Sequence, residues 1–154
     1  MGIDQHITLE HIRATERLIR PYVRTTPILE VPGSDFDLAV EHVLLKLELC
    51  QYGGSFKARG AFANLLSREV PPVGVVAASG GNHGLAVAFA AHRLGLPAKI
   101  FVPSVASPVK IAKIRDYGAQ MEIAGDCYAD AFSASRRWAL RSETHPVPRV
   151  DFQV

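Results

Sequence analysis

From residue 56 to residue 142 the chain alternates helical periodicity with short apolar runs, and this alternation constrains the fold more than any other feature. The spacing predicts helices over 56–67, 83–94, 108–117 and 126–142, separated by apolar strands over 73–78, 98–102 and 120–123. Short strands joined through helices run parallel with right-handed crossovers. The expected fold class is therefore α/β, a parallel sheet flanked by helices on both faces. The helix over 83–94 is apolar nearly all round, which predicts a central, buried position. Gly95 and Pro97 stop it, Ser107-Pro108 opens the next helix as N-cap and first-turn residue, and Gly118 ends that one.

Upstream, Leu9, Ile12, Leu18, Ile19 and Val23 share a helical face over residues 8–23, with Thr8 as N-cap. Pro21 and the Thr25-Thr26-Pro27 step enforce extended chain after it. Residues 31–41 read as a Gly/Asp-containing turn and 43–49 as a strand. At the other end, His145-Pro146-Val147-Pro148 reads as a linker.

Composition removes several functions. With 48% hydrophobic and 21% charged residues, the 154-residue chain has a globular composition, large enough for one domain or one small domain plus part of another. Its 17 basic residues against 15 acidic ones are scattered, without the basic block or aromatic interleaving that nucleic acid demands. Cys50 and Cys127 form no CxxC and no zinc spacing, so neither a metal nor a disulfide framework is expected. The start, MGIDQHITLEHIR, lacks an apolar core of signal-peptide length, and His6 stands where a myristoylation signal takes Ser or Thr. The longest apolar run, around 85–91, falls far short of a membrane span. A cytoplasmic protein with no nucleic-acid or membrane partner is expected.

Two loops carry residues that suggest chemistry. Ser79-Gly80-Gly81-Asn82-His83-Gly84 lies between an apolar strand and the buried helix, where ligands of open α/β sheets sit. Its glycines let backbone amides approach a ligand, and the helix N-terminus favours an anion such as a carboxylate, with Ser79 and Asn82 adding side-chain hydrogen bonds. The same residues also read as a tight turn capped by Asn82 or Ser79. GxGxxG and GK[ST] are both absent, so neither a dinucleotide fingerprint nor a P-loop is present.

The second loop is Gly53-Gly54-Ser55-Phe56-Lys57-Ala58-Arg59-Gly60-Ala61. A lysine kept partly from water among small residues is easier to hold neutral, as condensation with an aldehyde requires, and Phe56 stands ready to pack on whatever it carries. From a lone lysine the plainer reading is a solvated side chain near a helix start, because lysines are mostly exposed. His83 reads as a structural histidine or a base, and Arg59 as a partner for a carboxylate.

Taken together, "LKLELCQYGGSFKARGA", "AASGGNHGLAVAFAA" and "FVPSVASPVKIAKIRDYGAQ" resemble the serine/threonine dehydratases, fold type II pyridoxal-phosphate enzymes, from the "TTPI" at Thr25 to about residue 145. The resemblance implies the smaller domain of that fold over 43–145, with 1–42 belonging to an incomplete larger domain and 146–154 a linker or truncated C-terminus. It also implies pyridoxal 5'-phosphate as cofactor, bound as a Schiff base to Lys57, which later removes the substrate's α-proton. Phe56 matches the aromatic beside that lysine, and Asn82 the asparagine that hydrogen-bonds the pyridine ring's phenolic oxygen. Ser79, Gly80, Gly81, Asn82 and His83 match the loop that grips the substrate carboxylate. The implied reaction is β-elimination from L-threonine or L-serine to a 2-oxo acid and ammonia.

Two departures qualify this. Relatives that racemise serine carry a second serine directly after the position of Ser79, whereas this chain has Gly80, which disfavours that route. The family's glycine-rich phosphate loop and its partner for the pyridine nitrogen come from chain beyond this C-terminus, so weak cofactor binding and doubtful activity are expected. Two alternatives stay open: a β-replacement enzyme similar to the cysteine synthases, and a non-catalytic chain that associates with a complementary fragment or a homologue, or forms a homo-oligomer.

Overall fold

The computed structural model describes residues 7–141, so the linker and the end expected beyond 141 lie outside the described residues. Helix α1 (Leu9–Ile19) starts where the sequence indicates, with the Thr8 hydroxyl accepting from the His11 amide at 3.2 Å. It ends earlier than the periodicity suggests. Pro21 has no amide to continue the ladder, and residues 20–22 tighten into a 3-10 turn instead.

Strands β1 (Ile28–Pro32) and β2 (His42–Lys46) then form an antiparallel hairpin, with Ile28 opposite Lys46 and Pro32 opposite His42. β1 is a strand the sequence reading did not assign, and it takes Val31 and Pro32 from the expected turn. Four of its five residues are exposed, so no inward face leaves an alternating signature. Only pairing with β2 makes it a strand.

Helix α2 (Lys57–Leu66) buries Ala58, Ala61, Phe62 and Leu65, the i, i+3, i+4, i+7 stripe of a helix packed on one side. β3 (Val75–Ala78), α3 (Asn82–Leu94), β4 (Ala98–Val102), α4 (Pro108–Asp116), β5 (Gln120–Ile123) and α5 (Tyr128–Arg141) follow in the expected alternation. The three strands form a parallel sheet in the order β3-β4-β5. Ser107 occupies the N-cap of α4 without a side-chain hydrogen bond. At α5 the two residues before the helix donate their amides back to Asp130.

Strand pleating divides the core. Val75, Ala77, Ile100 and Val102 face α2, α3 and α4, whereas Val76, Ala78 and Phe101 face α5 through Ala131 and Trp138. β3 and the end of β4 are covered on both faces and so read as continuous apolar runs, whereas β5, at the sheet's edge, is mostly exposed and carries Gln120 and Glu122, so the apolar strand expected over 120–123 is only partly apolar. Helix α3 lies at the centre of the larger core, and every residue from Gly84 to Ala91 is buried.

Candidate functional site

Parallel strands deliver their C-terminal ends to one edge of the sheet, and β3 runs from there straight into α3. The Ser79 amide still donates to Phe101 O at 2.9 Å, as the strand would, and its hydroxyl accepts from the Gly81 amide at 3.1 Å. The turn is therefore self-bonded through Ser79. Gly81, not Ser79 or Asn82, occupies the N-cap of α3, and no side chain caps that terminus. Asn82 is the first helical residue and exposed, while Ser79, Gly80, Gly81 and His83 are half-buried.

The turn's glycines answer a packing demand. A Cβ at Gly80 would lie 2.3 Å from Ala106 Cβ, and one at Gly84 only 2.1 Å from Ser79 O. Gly84 thus lets the first turn of α3 sit directly on the end of β3.

Lys57 opens α2, preceded by Phe56 at the N-cap and by Ser55 in extended conformation. Lys57 is half-buried, its Nζ lying 5.0 Å from the centroid of the exposed Phe56 ring. Ser55 Oγ is buried with no hydrogen-bond partner among the described residues. Gly53 and Gly54 take left-handed φ of 71° and 72°, which bends the chain sharply just before the helix.

The two loops meet. The Tyr52 ring lies 4.9 Å from that of Phe89 on α3, and the Cβ position of Gly53 is 3.8 Å from the Leu85 side chain in the first turn of α3. The chain leading to Lys57 therefore rests on the start of the helix that the glycine-rich turn opens. Both helices begin without a hydrogen bond from the side chain of their N-cap residue, Phe56 for α2 and Gly81 for α3, and each helix start carries the positive end of its dipole.

A polar network behind this loop was only half visible in the sequence. Arg59 pairs with Glu48 through a two-toothed contact, Nε to Oε2 and Nη2 to Oε1, both at 2.8 Å. The Thr26 hydroxyl donates to Glu48 Oε1 at 2.6 Å, and Arg59 also donates to Arg24 O at 3.2 Å. Arg59's hydrogen bonds, aided by Thr26, hold the Glu48 carboxyl below its ordinary value and raise the guanidinium above its own, against the opposing effect of burial. The Gln51 amide accepts from the Arg24 N–H and donates to the Arg24 carbonyl, both at 2.9 Å. The sequence reading gave Arg59 a carboxylate without naming it and passed over Glu48, Thr26 and Gln51. Their partners lie 11 to 27 positions away, beyond any local signal.

A family model described as "Pyridoxal-phosphate dependent enzyme" matches residues 19–151. The chain belongs to that family. It is 43% identical over 119 residues to a phenylserine dehydratase of Ralstonia pickettii, covering 75% of this chain and 36% of the relative. It is 40% identical over 139 residues to an L-threonine ammonia-lyase of Thermotoga maritima, covering 85% of this chain and 33% of that one. Among solved structures it matches a threonine deaminase from T.th. at 38% identity and a TM-score of 0.72, over 86% of this chain and 42% of that one. The chain thus spans about a third of the length of the curated relatives it matches. The family's fold type II architecture accords with the helix-flanked parallel sheet expected from the sequence. Among the described residues no helix is long and apolar enough to cross a membrane.

Proposed function

We propose that this chain carries the lysine-bearing part of the site of a pyridoxal-phosphate-dependent ammonia-lyase, in a cytoplasmic enzyme that eliminates the β-hydroxyl of L-threonine or L-serine. The products are a 2-oxo acid and ammonia. One observation carries the proposal: the loop that leads to Lys57 packs, through Gly53 on Leu85, against the first turn of α3, the helix that the Ser79–Gly84 turn opens at the C-terminal end of β3.

The residues present suit the aldehyde end of the cofactor. Gly54, whose Cβ position meets nothing within 4 Å, and Gly81, whose nearest neighbour lies at 3.7 Å, leave room for a flat ring, and Phe56 offers an aromatic face. When bound, pyridoxal phosphate supplies an electron sink for the carbanion left by α-proton loss. Lys57 is the residue that would hold the cofactor, through its Nζ, and the same nitrogen, as a free amine, would take the α-proton of a substrate held beside it. Asn82, exposed at the first position of α3, would donate a hydrogen bond to the bound cofactor's ring. Ser79, Gly80, Gly81, Asn82 and His83 bind the substrate carboxylate, using backbone amides and the α3 dipole. The small amino-acid substrate is the expected partner.

The test is to mix the purified chain with pyridoxal phosphate, follow the visible absorbance band, fix it with borohydride and map the labelled residue. Labelling at Lys57, lost in Lys57→Ala, supports the assignment, and labelling elsewhere overturns it. Release of 2-oxo acid from L-threonine or L-serine identifies elimination. Conversion of an added thiol into product identifies β-replacement, the chemistry of cysteine synthases.

One observation favours a second reading, association with a complementary fragment or another copy. A groove of about 800 Å³ runs along α1 past Lys46, Glu48, Phe56 and Arg59, and the exposed Ile7 and Ile12 line it. A stable complex without turnover supports this reading.

A further inference from the structure

The segment between β2 and α2 delivers Lys57, yet Gly53 and Gly54 within it, both with left-handed φ, leave its backbone little intrinsic restriction. Glu48 stands at its start and Arg59 just past its end, eleven positions apart, joined by two charge-assisted hydrogen bonds of 2.8 Å. The pair is not a solvated surface contact. The Glu48 and Arg59 side chains are only 18% and 27% exposed, and Glu48 also accepts from Thr26, itself 3% exposed. The Thr26 carbonyl takes the Lys46 ammonium at 3.2 Å, which ties the end of β2 into the same junction.

We propose that the Glu48–Arg59 pair is the brace that closes this loop and sets Lys57 at the start of α2, making both of them positioning residues for the amine. The importance of that amine rests on the function proposed above, whereas the bracing itself does not. A guanidinium fork presents two parallel donors to one carboxylate, so it fixes orientation as well as distance, which a lysine at 59 cannot reproduce. With the pair intact, the loop's freedom is restricted from both ends, while Tyr52 and Gly53 hold its middle against α3. Without it, the loop keeps the Tyr52 and Gly53 contacts, the Gln51–Arg24 bonds, the Arg24 guanidinium on Cys50 O at 3.0 Å and its own turn hydrogen bonds, but loses the charged tie between its start and α2.

The test uses Glu48→Gln and Arg59→Lys in the full chain, at temperatures well below unfolding. Two loop amides report on the brace: Gly54 N–H, bonded to Gln51 O at 2.9 Å, and Arg59 N–H, bonded to Phe56 O at 3.0 Å. Both are expected to exchange with solvent about tenfold faster in either variant, while amides of residues 85–91 in α3 keep wild-type rates. Borohydride-fixed labelling of Lys57 by pyridoxal phosphate is expected to slow by about fivefold or more, with Arg59→Lys no better than Arg59→Met. Wild-type exchange at Gly54 and Arg59 overturns the proposal. So does faster exchange spread equally through α3, which is global loosening, or faster exchange with unchanged Lys57 labelling. If the wild-type chain shows no labelling at all, the functional reading falls, and the exchange of these two amides alone decides the brace.

Discussion

Alanine at position 80 measures how tightly the glycine-rich turn is packed. Gly80 has no positive φ, so alanine adopts the same backbone. On chain entropy alone the substitution stabilises by about 0.4–1 kcal/mol. The new methyl, however, lies 2.3 Å from Ala106 Cβ, with Ala106 Cα and Pro103 Cδ both at 3.4 Å. Apolar carbons in contact sit at about 4 Å, so an overlap of roughly 1.5 Å has to be relieved. Neither methyl can rotate away, and the loop after β4 has to move. That loop is held by the Ala106 amide on Pro103 O and the Ser104 amide on Gly125 O. An overpacking penalty of about 2–3 kcal/mol outweighs the entropic gain and leaves a net loss of about 1.5–2 kcal/mol. In a domain of this size that lowers the melting temperature by roughly 4–8 °C. Thermal melts of wild type, Gly80→Ala, Ala106→Gly and the double variant form a cycle. Removing the opposing methyl is expected to restore most of the loss, a coupling of about 1 kcal/mol or more. A Gly80→Ala chain as stable as wild type, or losses that simply add in the double variant, refutes the reasoning. The same contact bears on chemistry, because a serine Cβ at position 80 meets the same methyl, which closes the position to the second serine of racemising relatives unless residue 106 gives way.

Gly84→Ala is expected to cost more, about 2–3 kcal/mol in urea unfolding even after the roughly 1 kcal/mol gain in helix propensity, because its Cβ meets the Ser79 carbonyl, a backbone atom, at 2.1 Å. Gln51→Leu removes the acceptor of the Arg24 amide and leaves the Arg24 carbonyl with Arg59 as its side-chain donor, and a loss of about 1–3 kcal/mol should appear in the urea midpoint. Glu48 makes a prediction in pH. Its folded pKa is depressed below the ordinary 4.5, so its contribution is complete above that pH and disappears as pH falls through the folded value. The stability gap between wild type and Glu48→Gln should therefore hold constant above pH 4.5 and shrink in more acid solution, and a constant gap throughout contradicts the ion-pair account.

Local signals determined most of the α/β layout. The stripe Ala58, Ala61, Phe62, Leu65 already specifies one packed face of α2, and the unbroken apolar stretch of α3 specifies burial on every side, because burial periodicity is written in neighbouring residues. The residues of the candidate site were legible for the same reason: a lysine behind glycines and a glycine-rich turn before a helix are contiguous patterns. Tertiary structure alone decided the rest. β1 became a strand only by pairing with β2, since four of its five residues face solvent. Gly84 proved to be a packing requirement, visible only once α3 lay on the end of β3. Glu48 was joined to Arg59, and Gln51 to Arg24, by a fold that brings distant positions within hydrogen-bond range. Periodicity encodes which face is buried, but not which distant group arrives there, and that choice comes from the packing of whole elements.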